Sequence, residues 1–273
     1  MGKENIKVTV ILTCFNRKAK TLNCVSKLNK NTAKVDFIIV DDNSNDGTAE
    51  SLKELHEVEL LSGTGNLYWS GGMRAGIEKY LNRYQKSDYV MLVNDDVDFI
   101  PNVIDNMLQL NGSNIQVLVG ATCGTHGEFT YGGMKLNRPR RKDIYHHVMI
   151  DGNLDCDTFN CNCVLIPDEI VRNIGNFDSN YTHSLADIDY GFMVKRAGYN
   201  IKTTNFYVGI CNTNSVIGTW KDRSLSRVER IKKKESIKGA PFKEWFHFLK
   251  KNIGFWPAIR YSITPYLKIL FGR

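Results

Sequence analysis

The chain has 273 residues, 42% of them hydrophobic and 24% charged, with a formal net charge of +7. That length and composition suit one large α/β domain, or two small ones, with a real core. Seven cysteines, an odd number with no C-x-x-C pair, argue against a disulfide framework and for a reduced compartment, and six scattered histidines argue against a zinc centre.

The first element is the nearly continuous apolar run 7–14, as expected of a strand buried on both faces. A helix over 17–31 follows, with Leu22, Val25 and Leu28 on one side, and then a second buried strand at 37–40. The polar loop 41–48 offers a helix N-cap. A helix to about residue 56, a short strand at 58–61 and the loop 63–66 come next. The spacing predicts a helix over 71–84, a strand at 89–93, a helix from Pro101 to about Leu110 and a strand at 116–121. This alternation indicates a parallel, doubly wound sheet. Regularity stops at 122–156, a stretch rich in Gly and charge that holds the basic cluster 138–142, read as a solvated loop. A strand at 159–166, a short helix from Pro167, a longer helix over 187–197 and an extended segment at 200–210 complete the body, with Cys161 and Cys163 read as plain core residues.

A composition break near Ile217 divides the chain into a domain of residues 1–216 and a tail of residues 217–273. The tail holds fourteen Lys/Arg against four Asp/Glu, whereas the body is mildly acidic. Ten aromatic residues accompany that charge, among them Trp220, Trp245, Trp256 and Phe271. Pro257 and Pro265 break the apolar stretches far below the ~20 residues needed to span a bilayer. The pattern fits helices lying on an anionic membrane surface, with a helical cap or a homodimer contact as the alternative, and a tail separable after Gly239. No nucleic-acid motif accompanies the charge, so nucleic acid is not an expected partner. The N-terminus lacks the apolar core of a signal peptide, which points to the cytosol.

Chemistry concentrates where the strands end. Open α/β sheets bind ligands at the carboxyl ends of their strands. Thr13-Cys14-Phe15-Asn16-Arg17 follows the first strand, Asp41-Asp42 the second, and Asn94-Asp95-Asp96 the run 89–93. Hard oxygen ligands there suit Mg²⁺ or Mn²⁺, and such a cation suits a bound diphosphate. Neither the G-x-G-x-x-G fingerprint nor the G-x-x-x-x-G-K-[ST] loop is present, so phosphate charge must be met by metal and basic side chains.

In order and spacing, these pieces over residues 7–210 resemble the family 2 glycosyltransferases of the GT-A fold. Val10 to Arg17, Ile39 to Thr48, Gly65-Asn66 with Gly71 to Gly76, and Asn94 to Val97 carry the likeness, together with Ile174 to Asp178 and Ala186 to Tyr199. The resemblance implies an α/β fold with a central, mostly parallel sheet flanked by helices and a C-terminal helical extension. It implies an inverting, metal-dependent transfer of a sugar from a nucleotide-diphosphate donor, UDP- or dTDP-linked. The acceptor would be a lipid-linked oligosaccharide at the inner face of the plasma membrane, as in bacterial rhamnosyl-, galactosyl- or galactofuranosyl-type transferases that build capsule and O-antigen polysaccharides.

Residue by residue, Thr13 and Asp42 resemble the base and ribose contacts, with Phe15, Asn16 and Arg17 beside them. Asn66, Trp69, Gly72 and Arg74 resemble a donor-side wall, with Trp69 available to stack on a sugar. Asp96 resembles the metal-binding acid, flanked by Asn94 and Asp95, and the cation would be Mn²⁺ or Mg²⁺. Asp187 resembles the catalytic base, and Asp189 and His183 are candidates for handling the acceptor. Three positions depart from the family pattern: Asn94 replaces an acid, Ala186 replaces a Glu, and Cys211-Asn212 stands where a histidine is common. They keep one rival open, a degenerate sugar-nucleotide-binding or scaffold protein; a second rival, a sugar nucleotidyltransferase on a similar fold, wants a Gly-rich loop after the first strand, where Thr13–Arg17 has no glycine.

Overall fold

Apolar runs without alternation require cover on both faces of a sheet, and that is how the strands are used. The computed structural model describes residues 5–137 and 144–272, so the basic cluster 138–142 lies outside the described residues. The first half runs β1 (Lys7–Cys14), α1 (Lys18–Leu28), β2 (Lys34–Asp41), α2 (Thr48–Lys53), β3 (Val58–Ser62), α3 (Tyr68–Leu81) and β4 (Tyr89–Val93). Then come β5 (Asp98–Phe99), α4 (Val103–Asn111), β6 (Gln116–Cys123), β7 (Phe129–Tyr131), β8 (Gly133–Leu136) and β9 (Tyr145–His147). The remainder is β10 (Thr158–Phe159), β11 (Cys163–Pro167), α5 (Asp168–Ile174), α6 (Ala186–Arg196), β12 (Asn200–Ile210), α7 (Arg227–Glu235), α8 (Phe242–Asn252) and α9 (Phe255–Leu270).

The main sheet has the order β3-β2-β1-β4-β11-β6-β12-β5, with β7 paired to β6; β10-β8-β9 form a small second sheet. The strands β3, β2, β1 and β4 are parallel, as are β6 and β12. β11 runs antiparallel to both β4 and β6, so the sheet is mixed at its centre. The apolar run 159–166 is two strands rather than one, because the turn at 160–162 separates β10 from β11. Side chains of β1 alternate between two cores: Ile11 packs with α3, α5, α6 and α8, while Val8, Val10 and Leu12 pack with α1 and α4. Gly76 lets α3 lie tightly on β1, since a Cβ there would stand 2.5 Å from Ile11 Cγ2.

The tail is built into this body. Phe248 and Leu249 of α8 and Ala258 of α9 belong to the α3–α6 core and are fully buried. Asp189 on α6 is also fully buried; Lys251 Nζ reaches its Oδ2 at 2.7 Å and Asn252 Nδ2 its Oδ1 at 2.7 Å. The same Lys251 binds Asp178 at 2.8 Å. A cut after Gly239 would therefore expose core residues and strand a buried carboxylate, contrary to the separable tail expected from composition. The prolines do not break α9. Pro257 sits in its first turn, where no N–H partner is lost. Pro265 leaves the Tyr261 carbonyl without its helical donor, and Trp245 Nε1 donates to that oxygen at 3.2 Å instead. Among the described residues no helix is long and apolar enough to cross a membrane.

Lys251→Met should lower stability by about 1.5–3 kcal/mol, the usual size for hydrogen bonds to charged groups. Urea unfolding checks this through a lower midpoint at unchanged slope. An unchanged midpoint would mean that α8 is held by its apolar face alone.

Candidate active site

Three parallel strands deliver their polar ends to one rim, and hydrogen bonds fix each side chain there. Thr13, near the end of β1, donates to the Val40 carbonyl at 3.0 Å. Gly72 of α3 lies over it, so closely that a Cβ would be 2.2 Å from Thr13 Oγ1. Asn16 adopts φ 51°, and its Oδ1 accepts from Asn45 N at 2.8 Å, joining the loops after β1 and β2. Phe15, 53% exposed, stands beside it at the surface.

Asp42 is buried and accepts three backbone N–H groups: Gly65 at 2.7 Å, Leu67 at 2.9 Å and Tyr68 at 3.0 Å. It shapes the turn that leads into α3 and keeps little capacity for a ligand beyond that. Asn66 lies exposed at the crest of this turn. Arg74 is directed elsewhere than expected: its guanidinium donates to the carbonyls of Tyr181 at 3.1 Å and Asp178 at 3.4 Å, clamping the segment between α5 and α6.

The acidic triplet divides its labour. Asn94 accepts from Trp69 Nε1 at 2.7 Å and donates to Asn162 Oδ1 at 2.6 Å. Trp69 is thereby fixed by Asn94, with its ring tilted against Phe177 at 5.9 Å rather than free to stack on a sugar. Asp95 is buried, held by Arg17 Nη1 at 2.8 Å and Thr21 Oγ1 at 3.0 Å, so it anchors α1 instead of meeting a ligand. Burial raises its pKa against the lowering effect of Arg17. Asp96 is the member left at the surface, with a side chain 30% exposed and Arg17 Nη1 at 3.2 Å.

Asp187 opens α6, where helix N-termini favour acids. Its Oδ1 accepts from Ile188 N at 2.8 Å and its Oδ2 from Cys161 N at 3.3 Å. Burial pushes its carboxyl up to about 6 against those two backbone donors. Tyr145 lies nearby; burial and then the Asp187 charge raise its phenol to about 12. The turn at 160–162 ties the two acids together, because Asn162 holds Asn94 of the triplet while Cys161 holds Asp187. Sequence reading missed Asn162 and Tyr145. The signal for the former was two asparagines interrupting an apolar run.

Asp189 belongs to the tail contact described above, so it has no free oxygen for an acceptor, in contrast to the role expected of it. His183 is partly buried, stands edge-on to Tyr68 at 6.3 Å and has an unpartnered Nδ1. Burial, then Lys238, hold its pKa below the ordinary value, so it is neutral at pH 7.

Among the described residues no group of three or more His, Cys, Asp or Glu side chains could cage a metal ion. An Mg²⁺- or Mn²⁺-type ion needs no such cage, since it takes one or two carboxylates from the protein and its other oxygens from a bound diphosphate and water. Asp96 is the carboxylate available for that.

A family model described as Glycosyl transferase family 2 matches residues 9–165. No curated protein matches the chain. Among solved structures, the mannosyltransferase PcManGT from Pyrobaculum calidifontis, in complex with GDP-Man and Mn²⁺, superposes with a TM-score of 0.61 at 13% identity, over 98% of this chain and 74% of that one. TarS of S. aureus superposes with a TM-score of 0.60 at 11% identity over 97% of this chain, which spans 49% of TarS. The 1–349 form of TarS gives 0.57 at 12% identity, over 97% and 81% of the two chains. At such identities the likeness is one of fold. The family match takes in the rim from β1 to the acidic triplet and ends within β11, and on that ground the chain belongs to glycosyl transferase family 2.

Proposed function

We propose that the chain moves a sugar, with inversion, from a nucleotide-diphosphate donor to a hydroxyl of a lipid-linked glycan during cell-surface polysaccharide assembly. The observation that carries this reading is the turn at 160–162, which links the rim bearing Asp96 to a carboxylate, Asp187, whose pKa is pushed up to about 6. A base with a pKa near working pH can take a proton from the acceptor hydroxyl as the new bond forms. The donor, UDP- or dTDP-linked, would lie across Thr13, Gly72 and the turn that Asp42 shapes, with Asn66 at the edge. Arg17 would meet the diphosphate, since it already sits between Asp95 and Asp96. A divalent cation held by Asp96, when bound, would neutralise charge growing on the leaving diphosphate. The mannosyltransferase neighbour described with GDP-Man and Mn²⁺ supports both a nucleotide-sugar donor and a cation of this type.

Thermal shift with a panel of nucleotide sugars and Mn²⁺ tests this reading, because a ligand of the native state raises Tm. A rise for at least one UDP- or dTDP-sugar, lost on chelation, is expected. No rise with any member would count against it.

Attachment to an anionic membrane is part of the same reading. Trp256, Ile263, Leu267, Leu270 and Phe271 lie exposed along one stripe of α9, with spacings that keep them on one helical face. Arg260 and Lys268 lie on the same helix, within a tail of fourteen Lys/Arg, the composition of an interfacial helix. Sedimentation with anionic vesicles should recover the chain at low salt and lose it as salt screens the charges. The triple variant Trp256→Ser, Leu267→Ser, Phe271→Ser should sediment several-fold less. Equal sedimentation of variant and wild type would remove α9 as the contact.

A further inference from the structure

A groove of about 810 Å³ lies between the loop that follows β12 and the corner where α7 passes into the short helical turn Ile237–Gly239. The site already described does not use it. On one side it is bounded by Tyr68, which directly follows the turn shaped by Asp42. Tyr68 in turn contacts His183, four residues before Asp187. The groove thus adjoins both the donor-side turn and the segment that carries the base.

Its lining is cationic and aromatic. Lys221, Lys233 and Lys238 line it together with one carboxylate, Glu235. That carboxylate is engaged within the tail, accepting from Phe242 N at 3.3 Å and from the Tyr266 hydroxyl. Lys221 Nζ sits 5.6 Å from the Trp220 ring, so the loop holds its charge beside a flat apolar face of the kind that sugars pack on. His183, whose Nδ1 is buried without a partner, contacts Tyr68 of this wall and is close enough to Lys238 to feel its charge.

The same corner is tied to α9. Glu235 meets Tyr266, Lys234 lies over the Tyr266 ring at 5.7 Å, and Phe242 packs on it at 6.2 Å. Tyr266 is the neighbour of Leu267 in the exposed apolar stripe. A ligand that joins an anionic group to hydrocarbon would be met by the lysines at one end and by the surface on which α9 lies at the other.

We propose that this groove is the acceptor site, and that Lys233, Lys238 and Lys221 bind the phosphate groups of an acceptor carried on a prenyl-type diphosphate, with Trp220 against its sugar. The proposal rests on the transferase reading above.

The test uses the full chain and farnesyl diphosphate as the probe, with inorganic diphosphate and farnesol as separate arms, titrated by calorimetry in the presence of saturating UDP and Mn²⁺. Farnesyl diphosphate should bind wild type more tightly than either arm. The double variant Lys233→Ala, Lys238→Ala should weaken it about tenfold or more, since charge-assisted contacts are the strong ones. Lys233→Arg, Lys238→Arg should keep most of the binding, and UDP–Mn²⁺ affinity should be the same in all three proteins. Equal affinity for inorganic diphosphate would overturn the lipid assignment. Loss of UDP affinity in parallel with farnesyl diphosphate would overturn the site, by making it part of the donor pocket. Failure of wild type to bind farnesyl diphosphate while it still hydrolyses a nucleotide sugar would sink this proposal alone. Absence of both would sink the transferase reading with it.

Discussion

Asp96→Ala should abolish cation-dependent nucleotide binding and lower kcat/KM by about 10³-fold or more, the equivalent of several kcal/mol of charge stabilisation. The neighbours cannot replace it. Asp95 points into the protein, held by Arg17 and Thr21, and Asn94 spends its amide on Trp69 and Asn162. Arg17 keeps its bond to Asp95 in the variant, and the half-exposed pair with Asp96 contributes under about 1 kcal/mol, so the fold should survive. Calorimetric titration of UDP with and without Mn²⁺, alongside turnover, checks this. Transfer that persists both in the variant and in excess chelator would show that the cation is not used.

Asp187→Asn should lower turnover by about 10²–10⁴, the range for loss of a general base, with donor affinity nearly unchanged. The wild-type rate should fall on the acid side of about 6, because the base must be deprotonated and burial places its pKa there. The variant should lose that limb. Stability should move the other way. The native pKa lies above the ordinary 3.8, so the native state binds more protons between the two values and stability falls as pH rises through that window. Removing the charge should leave Tm at pH 7 equal or higher. A collapse of donor affinity with normal residual turnover would make Asp187 a binding residue instead.

Much of this was legible in the sequence because burial leaves a plain trace. The runs 7–14, 37–40 and 89–93 are apolar without alternation, and each is a strand covered on both faces. The carboxylates that end them stand out because nothing about a core calls for them. Direction was not legible. No local signal says that β11 runs against its neighbours, or that of two adjacent acids Asp95 turns inward and Asp96 outward. Long-range partners were hidden too. Asp189 reads as an acid for the acceptor, but it serves a lysine 62 residues further on. The tail's composition suits a surface helix, yet Phe248 and Leu249 are core, while α9 keeps an unburied stripe. Pro265 reads as a break because the indole that accepts its consequence, Trp245, is twenty positions away in sequence.

The most direct measurement is the anomeric configuration of the product. A nucleotide sugar that raises Tm is incubated with the full chain, Mn²⁺ and a hydroxyl acceptor, and the new anomeric proton of the glycoside is read by NMR. A single displacement assisted by Asp187 predicts a β-linked product from an α-linked donor, and none from Asp187→Asn on the same timescale. An α-linked product, or one formed equally well by Asp187→Asn, would contradict the account.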